Sequence, residues 1–157
     1  MSNTIEIRAF CPGEEAALFK VHYSAIRRIA SRDYSAEQIQ AWAPEDQDAD
    51  LWAQRMRDIN PFVAEYRGKI VGYADLQSNG YIDHFFVSGE YPRLGIGSTL
   101  MRHILASALQ RRLPLLSSDV SRTAQPFFEH FGFVVVEQRL PQRRGVTLPN
   151  ALMHRRL

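Results

Sequence analysis

Apolar and polar positions along the chain recur with two periods, and these sort it into short strands and amphipathic helices. Ile5, Ile7 and Ala9 alternate with Glu6 and Arg8, which predicts an opening strand closed by Pro12-Gly13. Ala17, Leu18, Val21, Ala25 and Ile29 then form a helical stripe. Ser35 with Gln38 three residues later has the spacing of a capping box, so a second helix follows, with Ile39 and Trp42 on its apolar side and Pro44 at its end. A short helix holds Leu51, Trp52, Arg55 and Met56. Residues 62–66 and 70–76 read as a hairpin around the polar turn 67–69, and Asn79-Gly80 makes a second turn into an apolar strand over 81–87.

The longest helix follows a glycine turn. Ile96, Leu100, Ile104 and Ala108, flanked by Met101, Leu105 and Leu109, share a face, with Arg102, His103, Gln110 and Arg111 opposite. Pro114 interrupts this pattern, and residues 115–121 read as a strand. Thr123 is the expected cap of a short helix holding Ala124, Phe127, Phe128 and Phe131, which stops at Gly132. Strands over 133–137 and 146–153 complete the order. It fits an α/β (α+β) fold: a single domain over residues 1–157, with a mixed, mostly antiparallel sheet of about seven strands and helices on both faces.

Composition narrows the function classes. The chain has 157 residues with 45% hydrophobic content, enough for one ordinary core, and its net charge of +2 is too small to argue for a nucleic-acid partner. Arg139, Arg143, Arg144, Arg155 and Arg156 gather late in the chain and read as a solvated rim. One cysteine, Cys11, excludes an intrachain disulfide and a multi-cysteine metal site. The acidic stretch 45–50 lacks histidine and a glycine turn, and reads as a solvated loop rather than a metal site. No apolar run approaches the roughly 20 residues of a membrane span, and the first ten residues have no secretory pattern. A cytoplasmic protein with no membrane partner is the expectation.

The candidate chemistry lies in residues 81–112, which run strand, glycine turn, helix. The first turn of a helix carries N–H groups without intrahelical partners at the positive end of its dipole, which favours an anion. Gly95 and Gly97 let such an anion approach the backbone. The stretch lacks the Lys-Ser/Thr pair of a P-loop and the three glycines of the dinucleotide fingerprint.

Pro92-Arg93-Leu94-Gly95-Ile96-Gly97, after an Asp-bearing aromatic strand, resembles the acetyl-CoA turn of the GNAT acetyltransferase superfamily, Gln/Arg-x-x-Gly-x-Gly/Ala. Residues 121–133, Ser-Arg-Thr-Ala-Gln-Pro-Phe-Phe-Glu-His-Phe-Gly-Phe, are similar to the family's second motif, Asn-x-x-Ala-x-x-Phe-Tyr-Glu-x-x-Gly-Phe. The resemblance spans nearly the whole chain and implies an N-acetyltransferase that moves an acetyl group from acetyl-CoA directly to a primary amine of a small molecule or peptide. It implies a splay between the fourth and fifth strands. There the backbone of Phe85, Phe86 and Val87 would hold the pantetheine, Arg93, Leu94, Gly95, Ile96, Gly97 and Ser98 the pyrophosphate, and Ser121, Phe127 and Phe128 would line the cofactor.

Three positions depart from the family pattern. Pro92 stands for Gln or Arg, which removes a side-chain contact and a backbone donor, although proline suits the start of a helix. Ser121 stands for Asn, and Phe128 for the tyrosine that often protonates the departing thiolate. Direct transfer needs a base for the amine, and Asp83 is the first candidate, on the strand face of Phe85 and Val87 where apolar neighbours would raise its pKa. A structural hydrogen bond, to the Asn79-Gly80 turn region or to the first helices, is the other reading of Asp83. His84 is the second candidate base, on the opposite face. Ser121, Tyr81, Tyr23 or water would serve the thiolate. Tyr23, Tyr34, Trp42 and Trp52 fall on the first helices, which in the family roof the acceptor site, though core packing also accounts for them. Two other readings stay open: a non-catalytic acyl-CoA-binding module, motivated by Phe128 and Pro92, and a phosphate site for an unrelated nucleotide. The sequence allows a homodimer and does not indicate one.

Overall fold

The alternating and helical stripes become ten strands and five α-helices in the computed structural model, which describes residues 3–157. Strand β1 (Glu6–Ala9) leads to α1 (Glu15–Arg28), a 3₁₀ turn (Ala30–Arg32), α2 (Ala36–Trp42) and α3 (Ala49–Ile59). Hairpin β2 (Phe62–Tyr66) and β3 (Lys69–Ala74) precede β4 (Tyr81–Ile82) and β5 (Phe85–Val87). Then come α4 (Ile96–Gln110), β6 (Leu115–Ser121), α5 (Gln125–His130), β7 (Val134–Arg139), β8 (Gln142–Arg143), β9 (Val146–Thr147) and β10 (Asn150–Arg156).

Local chemistry explains several boundaries. Ser35 and Gln38 form the capping box at α2, each side chain serving the other's backbone N–H. Asp48, in the acidic stretch, caps α3 by accepting from the N–H groups of Asp50 and Leu51. Arg67 and Gly68 both take positive φ, 51° and 77°, as a two-residue hairpin turn between β2 and β3 requires. Thr123 does not cap α5: its hydroxyl donates to Asp33, and Ser121 Oγ accepts from the Ala124 N–H instead.

Two four-stranded sheets carry the fold, in the orders β1-β2-β3-β5 and β4-β6-β10-β7, with β8 and β9 as a separate hairpin. All pairings are antiparallel except β4 with β6. The strand number exceeds the expected seven because the strands expected over 81–87 and 146–153 are each split, and β8 is added. Alternation in the first sheet serves two helix layers. Val63 and Tyr73 pack with Leu18 and Val21 of α1 and Trp52 and Met56 of α3. Ala64 and Ala74 pack with Leu100, Met101 and Ile104 of α4. Gly72 permits the close seat of α4, since a Cβ there would stand 2.9 Å from Ile96 Cγ2. No helix among the described residues is long and apolar enough to cross a membrane.

The split of 81–87 positions everything functional. Tyr81 and Ile82 pair in parallel with Ser117 and Ser118 of β6, whereas residues 85–87 leave that sheet and pair with β3. Asp75, fully buried, makes the break: its Oδ1 accepts from the N–H groups of both Asp83 at 2.8 Å and His84 at 2.7 Å. Beyond it β5 and β6 diverge, and this is the splay.

Candidate active site between the diverging strands

Two cavities flank β5 on the open side. The smaller, about 210 Å³, is lined by β5, α1, Gly97 of α4 and the α5 region, including Phe85, Phe86, Val87, Ser121, Phe127 and Phe128. The larger, about 530 Å³, is lined by Tyr81, Asp83 and His84, by Trp42 and Trp52, and by Arg55, Asp119 and Arg143 among others. Trp42, Phe86 and Ser121 line both, so the two meet there.

The free edge of β5 faces the smaller cavity. Asp75 N–H donates to the His84 carbonyl and Ser88 N–H to the Val71 carbonyl, and with Tyr73 opposite Phe86 the antiparallel alternation turns the backbone of Phe86 toward β3. The same alternation turns the N–H and C=O of Phe85 and Val87 to the unpaired edge. Of the three backbones expected to hold a pantetheine arm, that of Phe86 is used in the sheet and only those of Phe85 and Val87 face the open edge, while Phe86 lines both cavities.

At the end of β5 the chain turns through Pro92 and Arg93 (φ 63°) to Gly95 (φ 73°), the N-cap of α4. Pro92 lies in this turn, four residues before Ile96, the first residue of α4, rather than at the helix start it was expected to suit. The first intrahelical bond runs from Thr99 N–H to the Gly95 carbonyl, leaving the earlier amides of the turn without helical acceptors. A Cβ on Gly95 would meet nothing within 4 Å, so the approach to these amides is open. Ile96 is 2% exposed and packs inward, so only its backbone can serve a ligand. Leu94 is exposed.

In the larger cavity, strand alternation fails at the Asp75 contact, and Asp83 and His84, expected on opposite faces, line the same space. The apolar surroundings expected for Asp83 are also corrected, because its Oδ2 is ion-paired to Arg55 of α3. His84 Nδ1 lies 2.9 Å from the Tyr73 hydroxyl and its Nε2 3.7 Å from Asp83 Oδ2. Burial, then the charges of Arg55 and Arg143, push the His84 imidazole down to about 3. His22, packed 4.6 Å from Phe86 and 4.8 Å from Trp52 between ring centroids, is likewise held well below its ordinary value by burial, and its Nδ1 has no hydrogen-bond partner.

The candidates for serving the thiolate separate clearly. Tyr81 donates its hydroxyl to Asp119 Oδ2 at 2.7 Å, and burial with the Asp119 contact pushes it up to about 12. Tyr23 is near Glu45 and lines neither cavity. Ser121 Oγ accepts from Ala124 N–H and retains its own proton to donate at the junction. Phe128, 2% exposed, has its ring 5.0 Å from Phe133 and 5.5 Å from Phe85. Tyr34, Trp42 and Trp52 do roof the larger cavity, and Tyr34 and Trp52 are core residues as well, both roles holding at once.

The late arginines are not a plain rim: Arg139, Arg143 and Arg144 line the larger cavity. Sequence reasoning also missed His22, Gln47, Arg55, Tyr73, Asp75, Asp119 and Asn150. Only Asp75 carried a local signal, a carboxylate inside the apolar run 70–76.

A free strand edge lies beside an open glycine turn, and the comparisons decide the family. Residues 30–150 match the Acetyltransferase (GNAT) domain. The chain belongs to the GNAT acetyltransferase family. An uncharacterized N-acetyltransferase, YafP of Escherichia coli (strain K12), is 34% identical over 151 residues, covering 96% of this chain and 95% of that one. A GCN5-related N-acetyltransferase structure from Rhodopseudomonas palustris superposes with a TM-score of 0.92 at 28% identity, over 98% of this chain and 96% of that chain. The fold is shared with the PaiA N-acetyltransferase of Thermoplasma acidophilum, solved in complex with coenzyme A, with a TM-score of 0.73 at 17% identity over 98% and 99% of the two chains. This GNAT protein is accordingly an enzyme, an N-acetyltransferase, and acetyl-CoA is the co-substrate of such an enzyme. The non-catalytic alternative gives way to that result.

Proposed function

We propose that the enzyme transfers the acetyl group of acetyl-CoA directly to the primary amine of a small molecule or peptide seated in the larger cavity. The observation that carries this is the meeting of the two cavities at Trp42, Phe86 and Ser121, beside Asp83 and His84. A thioester at the end of a pantetheine arm along β5 would face an amine there with no covalent enzyme intermediate required.

In this reading the N–H and C=O groups of Phe85 and Val87 bind the pantetheine amides, and the free amides of the turn from Arg93 to Ser98 receive the pyrophosphate. Gly97, Phe127 and Phe128 wall the arm. The neutral amine attacks the thioester carbonyl, the new C–N bond forms, and the C–S bond breaks. Asp83 takes the proton released by the amine, with Arg55 holding its carboxylate and His84 beside it. The thiolate leaves with a hydrogen bond from the Ser121 hydroxyl and takes its proton from solvent, to which Asp83 releases the one it accepted. Tyr81 does not fit that role, because its hydroxyl already donates to Asp119. The products are an acetamide and free CoA thiol. A cytoplasmic location belongs to the same reading.

The test is a thermal shift followed by turnover. Acetyl-CoA at 100 times its dissociation constant stabilises the native state by about 2.7 kcal/mol. Thiol release across a panel of primary amines then supports transfer, and a shift without release from any amine contradicts it.

A further inference from the structure

The charge lining the larger cavity is unbalanced, and the imbalance is concentrated on one element. Of the four arginines there, Arg55 is paired with Asp83, and Arg139 with Asp119 at 2.9 Å. Arg143 and Arg144 have no acidic partner among the described residues. Both sit on the β8–β9 hairpin, whose turn is fixed by positive φ at Arg144 (51°) and Gly145 (77°). The hairpin is fastened to α2 by Gln38 Nε2 donating to the Thr147 carbonyl at 3.0 Å and Arg144 Nη1 donating to the Ala41 carbonyl at 2.8 Å. Two unneutralised cations are therefore held in place over the cavity rather than left on a loose loop. Two buried amide oxygens lining the same cavity, Gln47 Oε1 and Asn150 Oδ1, lack hydrogen-bond partners and can accept from N–H donors.

A ligand that satisfies this lining has negative oxygens for the arginines and an N–H-bearing group for the carboxylate side. We infer that the acceptor is a primary amine that also carries an anionic oxygen group, a carboxylate or a phosphate, which Arg143 and Arg144 receive while the amine lies toward Asp83 and His84. The inference rests on the acetyl-transfer reading and specifies its substrate class. Arg guanidinium groups suit carboxylate and phosphate alike, because their forked donors match both.

The test uses primary amines in matched pairs: amino carboxylates with their methyl esters, and aminoalkyl phosphates with the parent amino alcohols. Two readouts are taken, thiol release from acetyl-CoA and the melting-temperature shift in the presence of CoA, which needs binding only. The charged member of at least one pair is expected to be preferred by about tenfold or more in kcat/KM and to give the larger shift, as charge-assisted hydrogen bonds predict. Which pair responds separates carboxylate from phosphate. In Arg143→Gln/Arg144→Gln the preference collapses, and in Arg143→Lys/Arg144→Lys, which keeps the charge, part of it remains. Equal shifts for charged and neutral members, or none for either, overturn the inference whether or not thiol is released. Shifts confined to charged members and lost in the Gln variant uphold it even without thiol release, a result that would count instead against acetyl transfer.

Discussion

Asp75 and His84 hold each other by a reciprocal pair of bonds: Asp75 Oδ1 accepts from the His84 N–H at 2.7 Å, and the Asp75 N–H donates to the His84 carbonyl at 3.1 Å. With Asp83 N–H on the same carboxylate oxygen, this contact ends one sheet and begins the other. Asp75→Ala leaves two buried amides without an acceptor, at roughly 1–3 kcal/mol each, so a loss of about 3 kcal/mol in unfolding free energy is expected by denaturant titration. Asp75→Asn keeps an oxygen toward both amides and should cost far less. Equal losses in the two variants would show that the carboxylate does not make the break.

Acid should weaken the fold through the same region. His84 titrates at about 3 in the folded chain against about 6.5 unfolded. The unfolded state therefore binds more protons between those values, and stability present above pH 6.5 is lost as pH falls toward 3. His22, lowered for the same main reason, acts in the same direction. The raised carboxyl of Asp75 acts oppositely, so the comparison must be with a variant. His84→Gln should show a flatter decline of melting temperature between pH 7 and pH 4 than the wild type, by an amount on the order of 2 kcal/mol in stability. Parallel declines would contradict the burial of a neutral imidazole.

What could be read from the sequence was what depends on near neighbours. The face of α4, the Ser35–Gln38 cap and the Gly95–Gly97 turn are set by residues within a few positions of one another, and each stands where the pattern put it, except that Leu109 in the last turn of α4 is 62% exposed. The broken strand was hidden because its cause lies eight and nine residues upstream, in a side chain bonding to backbone. Alternation through Asp83 then gave the wrong face for His84. The cavity cations were hidden for a similar reason: Arg55 comes from α3 and Arg143 from β8, and only the fold brings both beside His84. Arginines close in sequence look like a rim until a cavity is built under them.

Gly97 should separate stability from cofactor binding. A Cβ there would stand 3.3 Å from the Phe127 ring and 3.6 Å from Val87 Cγ2, in the smaller cavity. Helix propensity favours alanine by up to about 1 kcal/mol, which offsets the tight contact in the free protein. For Gly97→Ala, calorimetry is expected to give a dissociation constant for CoA raised about fivefold or more, while the melting temperature of the free enzyme changes little, since filling a groove removes ligand contacts. Unchanged affinity would remove the cofactor from this groove.

Ser121 and Tyr81 make a paired prediction for the leaving group. Ser121→Ala should lower kcat by about tenfold, below the usual range for a general acid because a thiolate leaves readily. Tyr81→Phe should alter kcat less, since it removes a hydroxyl already bonded to Asp119. Rates measured under acetyl-CoA saturation that rank the two variants the other way would give Tyr81 the role of donor to the thiolate.

Asp83 and His84 share the cavity only through the Asp75 contact. The most direct measurement is the single-turnover rate of acetyl transfer in Asp83→Asn with acetyl-CoA prebound, beside its dissociation constant for CoA. With Asp83 as the base, the rate is expected to be lower by about 10²–10⁴ with CoA affinity unchanged. A rate and pH profile equal to wild type would contradict it.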